Sequence, residues 1–149
     1  MTRINSAIPV CCLTDEHLLA EHREIKRLPY CFERAVKSGS IGKIPDKFAL
    51  GSGHVLFFLD KFGFVRNRYA EIYEECKRRK FNVEDYSENF EHLFVDANKQ
   101  FLKDYEPTGE EQLMLVKRIT ERLLKSSKKS FHYCRKAISK TEAVQLLIR

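Results

Sequence analysis

Apolar residues recur along this chain at helical rather than strand spacing, and nearly every element they predict is a helix. Thr14 or Asp15 can cap a first helix, which runs through LLAEHREIKRLPYCFERAVKS towards Gly39 with Leu18, Ile25, Phe32 and Val36 as its apolar stripe. Asp15 and Glu16 suit the positive end of that helix, and Pro29 inside it predicts a kink or a broken turn. The stretch SGSIGKIPDKFALGSG, rich in Gly, Ser and Pro, reads as a connection. Ser52 or Gly53 then opens the longest predicted helix, HVLFFLDKFGFVRNRYAEIYEECKRR. Its apolar face is Val55, Phe58, Leu59, Phe62, Val65, Tyr69, Ile72 and Cys76, and Arg78, Arg79 and Lys80 close it with positive charge. Residues 85–105 predict one or two short helices carrying Phe90, Leu93, Phe94, Phe101 and Leu102. Thr108-Gly-Glu-Glu111 is a capping box for a last clear helix through Leu124. A basic, aromatic stretch (KSSKKSFHYCRK) and a weakly helical tail (TEAVQLLIR) follow. Strand-like alternation is nowhere sustained. The expected class is all-α: one compact domain over residues 1–149, with three main helices, short extra helices and long connecting loops.

Composition narrows the functional classes. A chain of 149 residues with 43% hydrophobic and 32% charged residues has the make-up of one soluble domain with a real core. Its longest apolar run, Val55–Leu59, is far too short to span a bilayer. MTRINSAIPVCCL meets Asp15 and Glu16 before any long apolar stretch and lacks a small-residue cleavage site, so no signal peptide is expected. Cys11, Cys12, Cys31, Cys76 and Cys134 are odd in number and form no Cys-x-x-Cys pair, which predicts free thiols in a reducing, intracellular setting and no zinc site. The net charge of +6 favours a phosphate-bearing partner without requiring one.

At 100° per residue, His17, Glu21 and Glu24 share one stripe of the first helix, while Arg23, Arg27 and Arg34 share a neighbouring one. Periodicity alone reads this as a salt-bridged solvated face, and a His/Glu/Glu metal site is the sharper alternative. Near the C-terminus, Lys125, Lys128, Lys129, Arg135 and Lys136 surround Phe131, His132 and Tyr133. That grouping suits either phosphate contacts interleaved with stacking rings or a basic helix end with core aromatics. At the other end, Met1 is expected to be removed because the small Thr2 follows it. The α-amine so exposed has a reference pKa of about 7.7–8.0, so it is substantially neutral, and nucleophilic, near physiological pH.

TRIN (Thr2–Asn5), HLLAEHREIKR (His17–Arg27), GSGHVLFFLDK (Gly51–Lys61), RYAEIYEECKRRKFN (Arg68–Asn82) and KAI (Lys136–Ile138) occur in that order. Together they resemble the phage-type pyrimidine-dimer DNA glycosylases, the endonuclease V of that phage family. The resemblance is strong before residue 82, poor over 83–130 and absent from residues 139–149. It implies a helical, single-domain enzyme with no metal or organic cofactor, acting on double-stranded DNA with damaged bases or abasic sites; a monomer is the default expectation.

In that family the N-terminal Thr attacks C1′ of the damaged nucleotide, expels the base and forms an imine that drives β-elimination. By resemblance Thr2 is the nucleophile and Glu24 the essential acid. Arg3, Arg23 and Arg27 hold phosphates, and His17 lines the site. The Arg stripe extends this expectation to Arg34, and the basic aromatic stretch extends it to Lys129, Tyr133 and Lys136. The family carries a Trp/Tyr-rich run near that stretch, whereas this chain has no Trp. A DNA-binding protein of the same fold without excision activity and a metal-dependent nuclease using His17, Glu21 and Glu24 are the alternatives.

Overall fold

The computed structural model describes residues 3–96 and 99–149. Its helices are α1 (Asp15–Ile25), α2 (Arg27–Ser38), α3 (His54–Phe58), α4 (Phe62–Arg78), α5 (Ser87–Asp96), α6 (Gly109–Lys125) and α7 (Lys140–Leu147). Short 3₁₀ turns at Val10–Cys12, Ser40–Lys43 and Lys99–Phe101 lie in the connections. One hairpin, β1 (Ser130–Tyr133) with β2 (Lys136–Ser139), sits between α6 and α7. The fold is all-α with, among the described residues, this one small sheet, and an apolar core runs from Ile4 to Leu147. Among the described residues no helix is long and apolar enough to cross a membrane.

The expected first helix is two. Thr14 caps α1 by accepting from the His17 amide, as its sequence position suggests. The break falls at Lys26, three residues before Pro29 rather than at it. A proline removes the N–H that would bond the carbonyl four residues back, here that of Ile25, and its ring crowds that carbonyl. α1 therefore ends at Ile25, and Pro29 sits in the first turn of α2, where a missing N–H costs little. Leu18, Ile25 and Phe32 are buried as expected, but Val36, assigned to the same stripe, is about half exposed because the break rotates the second helix.

The expected longest helix is also broken. α3 ends at Phe58, and Lys61 takes φ −122°, ψ 40° before α4 begins. Here residues 102–103 lie against the chain: Lys103 donates its amide to the Asp60 carbonyl (3.2 Å) and accepts from the Phe64 amide (3.3 Å). A Cβ on Gly63 would stand 2.7 Å from the Leu102 carbonyl oxygen, so only glycine admits this approach. Beyond the break the apolar stripe holds, and Phe62, Val65, Tyr69, Ile72 and Cys76 are all buried.

The C-terminal region departs furthest from expectation. α6 has the anticipated capping box of Thr108 and Glu111. The basic aromatic stretch after it forms the β1–β2 hairpin in place of a helix end, with Phe131 buried. Cys134 (φ 49°) and Arg135 (φ 70°) make its two-residue turn in the left-handed region. α7, capped by Ser139 and Glu142, buries Ala143, Leu146 and Leu147 against the rest. The five cysteines are free thiols.

Candidate active site

Residues 3–7 belong to no regular element, so their amides need partners from elsewhere. Three successive N–H groups receive them from side chains. Arg3 donates to Glu24 Oε2 (3.0 Å), Ile4 to His54 Nε2 (2.9 Å) and Asn5 to Glu21 Oε1 (2.5 Å). Glu21 and Glu24 come from one face of α1, three residues apart, and His54 from the first residue of α3. Glu21 is itself held by Arg68 of α4, with Nη2 at 2.8 Å from Oε2, and both side chains are buried. Arg68 also donates through Nη1 to the Ile8 carbonyl at 2.7 Å, so the pair grips the segment at two points. His54 donates from Nδ1 to the Ala49 carbonyl (2.9 Å), which leaves Nε2 as the acceptor. Burial pushes the His54 pKa down to about 4, consistent with a neutral ring.

Beside this segment lies a cleft of about 300 Å³, lined by Arg3, His17 and Glu24 on one side and by Arg118, Arg122, Lys128 and Phe131 on the other. Arg118 reaches the Asn5 side chain with Nη2 (3.3 Å). Burial first, and then repulsion by Arg3, pushes the Arg118 pKa down to about 10. The Nε atoms of Arg3 and Arg118 are buried and have no hydrogen-bond partner among the described residues. Two buried cationic donors without acceptors are costly, and an incoming anion would satisfy them. His17 is half-buried on the cleft and hydrogen-bonded through Nδ1 to Thr14 Oγ1 (2.9 Å). Burial lowers its pKa, against the pull of Glu16 and with the repulsion of Arg118, Arg3 and Lys128. Of the carboxylates nearby, Glu21 is paired with Arg68 and Glu16 with His132. The cleft is thus a cationic trough with Glu24 at its inner edge.

The family model for pyrimidine dimer DNA glycosylases matches residues 1–89. The chain belongs to that family. The match takes in Arg3, His17, Glu21 and Glu24, which line the N-terminal side of the cleft, and His54 and Arg68, which hold the backbone of Ile4 and Ile8. Arg118, Arg122, Lys128 and Phe131, which build the opposite side of this DNA glycosylase's cleft, lie beyond it.

The other residues expected in the glycosylase site are distributed as follows. Thr2 lies outside the described residues. Arg23, at the end of α1, and Arg27 and Arg34, on α2, are exposed, and the Arg34 guanidinium lies over the Tyr30 ring (5.7 Å). They form an outer row that does not line the cleft. Lys129, just before the hairpin, and Lys136, at the start of β2, are exposed. Tyr133 turns away from the cleft, donating its hydroxyl to the Cys11 carbonyl (2.8 Å) with the Arg79 guanidinium over its ring (4.5 Å). Sequence reasoning missed Arg118 and Arg122, although they stand four apart beside the Leu115, Ile119 and Leu123 stripe of α6. It also missed Arg68, whose signal was legible: a charged residue between Val65, Tyr69 and Ile72 on an apolar face.

Proposed function

We propose that this glycosylase is also an AP lyase, and that its nucleophile is the α-amine of Thr2 after removal of Met1. What supports this reading above all is the Arg3 N–H···Glu24 hydrogen bond of 3.0 Å. Three covalent bonds join the Thr2 nitrogen to that Arg3 nitrogen, which holds the two within about 4 Å in any conformation. The Glu24 carboxylate is therefore tied beside the start of the chain.

The chemistry follows from that pairing. The amine nitrogen attacks C1′ of the damaged nucleotide, the C1′–N glycosidic bond breaks, and the base leaves with the bonding electron pair and gains a proton. Positive charge builds on the sugar as this bond breaks, and Glu24 stabilises it. The C1′–O4′ bond then opens, O4′ takes a proton and the nitrogen–carbon double bond of the imine forms. The imine acidifies C2′–H. Loss of that proton, to Glu24 or a water, expels the 3′ phosphate and nicks the strand. Arg3, Arg118, Arg122 and Lys128 hold the phosphates of the deformed duplex, and the outer row of Arg23, Arg27 and Arg34 extends that contact.

The test is borohydride trapping on duplex DNA carrying a defined pyrimidine dimer, with an abasic duplex in parallel and intact mass to establish Met1 removal. A covalent adduct mapped to Thr2 on the dimer substrate is the expected result. An adduct on the abasic duplex alone would restrict the reading to a lyase. No adduct on either, from processed protein that still binds the DNA, would replace the mechanism with damage binding alone.

A further inference from the structure

The clamp on residues 3–5 is asymmetric in its chemistry. Two of its three acceptors are carboxylates from α1, which any short acidic side chain in register could supply. The third is a neutral imidazole brought from a different helix, about 50 residues along the chain. Its ring is almost wholly buried and packs edge-on against Phe48 (5.5 Å between centroids) and Phe58 (5.3 Å). The Ala49 carbonyl takes the Nδ1 proton, so tautomer, tilt and direction of the ring are all determined by surroundings unconnected with the N-terminus. Nε2 meets the Ile4 amide, two residues from the chain's second position and between the amides held by Glu24 and Glu21. Rotation about the Arg3–Ile4 backbone would swing anything attached ahead of it, and the Ile4 bond opposes that rotation.

On the reading given above, in which Thr2 supplies the nucleophile, we infer that His54 is a positioning residue for that amine. By accepting the Ile4 N–H at its unprotonated Nε2, it sets the angle at which the first residues leave the core and so where the amine stands relative to Glu24. Lowering of the His54 pKa by burial keeps the acceptor available throughout the neutral range. Reaction geometry is sensitive to this kind of support, because a misplacement of about 1 Å costs on the order of a hundredfold in rate.

Two amide substitutions separate positioning from ordinary core packing. The carboxamide of His54→Gln reaches the place of Nε2 and restores an acceptor for Ile4 while giving up the Ala49 bond. That of His54→Asn reaches the place of Nδ1 and keeps a donor for Ala49 while leaving Ile4 without its acceptor. The readout is the single-turnover rate of borohydride-trapped imine on saturating abasic duplex, together with KM for that DNA and the melting temperature. The expected result for H54N is a rate loss of roughly a hundredfold with KM unchanged, and for H54Q recovery to within about tenfold of wild type at a similar melting temperature. Equal rates in the two variants, or losses carried by KM, would overturn the inference. Should H54N fail to fold, H54Q decides: a hundredfold loss there, with the Ile4 acceptor restored, overturns it equally. Wild-type protein that traps no imine would remove the nucleophile itself and this inference with it. Trapping by wild type at a rate that H54N matches would remove this inference alone.

Discussion

The N-terminal segment and the C-terminal hairpin are held by the same helix in the same manner, yet with different consequences. α1 offers Glu24 and Glu21 to the amides of Arg3 and Asn5. From its first turn it offers Asp15 to the amides of Cys134 and Arg135 (3.1 and 2.7 Å), and Glu16 to that of His132 (3.1 Å). The N-terminal segment and the hairpin therefore both hang on one helix, while α6 brings Arg118 and Arg122 to the cleft independently. The difference lies in what backs each carboxylate. Glu21 is locked by Arg68 and both are out of water, whereas the Glu16–His132 pair stands half in solvent. Asp15 is the exception on the hairpin side, being paired with the buried Arg79 (2.9 Å). The segment leading to the proposed nucleophile is thus backed by a buried ion pair, and the hairpin, which brings Lys128 and Phe131 to the cleft, is held firmly at its turn and loosely along β1. Reacting atoms need fixed geometry, while phosphate contacts tolerate adjustment.

The largest effect to test is on rate rather than stability. Glu24→Gln keeps an oxygen to accept from Arg3 but removes the charge, so trapping on dimer DNA should fall on the order of a hundredfold to a thousandfold with the melting temperature unchanged. A normal rate would mean that the carboxylate only anchors the segment. Next is Arg68→Met, which leaves Glu21 buried and unpaired. About 3–5 kcal/mol of folding stability should be lost in urea titration, and Glu21→Leu added to it should recover only part of that loss, because the Asn5 amide and the Ile8 carbonyl are then left without their side-chain partners. A single-variant cost below about 1 kcal/mol would show that the pair is not what secures the N-terminal side.

The third prediction concerns pH. His54 has a folded pKa of about 4 against an ordinary 6.5, so the folded state disfavours the proton that the unfolded chain accepts. Its contribution is fully present above pH 6.5 and is lost as pH falls from there through about 4. That difference corresponds to roughly 3 kcal/mol. The groups acting on the ring from neighbouring elements are Arg118 and Arg3, whose repulsion adds to the burial. Stability measured at stepped pH should fall less steeply over this window in His54→Gln than in wild type. Parallel curves would assign the acid sensitivity to other groups.

How much of this was legible from sequence follows the same division. The apolar stripe of α4, the Thr14 cap and the Thr108/Glu111 capping box are local patterns, and the structure has them where the spacing puts them. His17 and Glu24 were identified through the resemblance, and helical periodicity put them on one stripe. What failed was decided by distant contacts. The α3–α4 break depends on backbone pairing with Lys103, and the hairpin depends on Asp15 reaching across to a turn whose residues, Cys and Arg, carry no turn signal. Arg118 and Arg122 sat in a helix that any amphipathic pattern would explain. His54 looked like one more residue in a helix start, since its partner amide lies about 50 positions away.

The hairpin's turn supplies the next, smaller effect. Cys134 and Arg135 both occupy left-handed backbone, which costs a non-glycine residue roughly 1–2 kcal/mol each. Asp15 offsets this by accepting both amides. Cys134→Gly removes the steric penalty and adds some unfolded-state entropy, so a net gain of about 1 kcal/mol is expected, seen as a rise of a few degrees in melting temperature. A decrease would mean that the thiol, 3.9 Å from Arg78 Nη2, matters to the packing there.

The smallest effect belongs to His132, whose Nδ1 is 2.7 Å from Glu16 Oε1. Both groups are partly solvated, so His132→Ala should cost under about 1 kcal/mol and less still at high salt. Its value lies in what else changes. If β1 is the compliant side of the cleft, loosening it should weaken damaged-duplex affinity a few fold through Lys128 and leave the trapping rate on saturating DNA untouched. A slower trapping rate in H132A would place the hairpin among the parts that orient the reacting atoms, and the division of labour between the two ends of α1 would have to be redrawn.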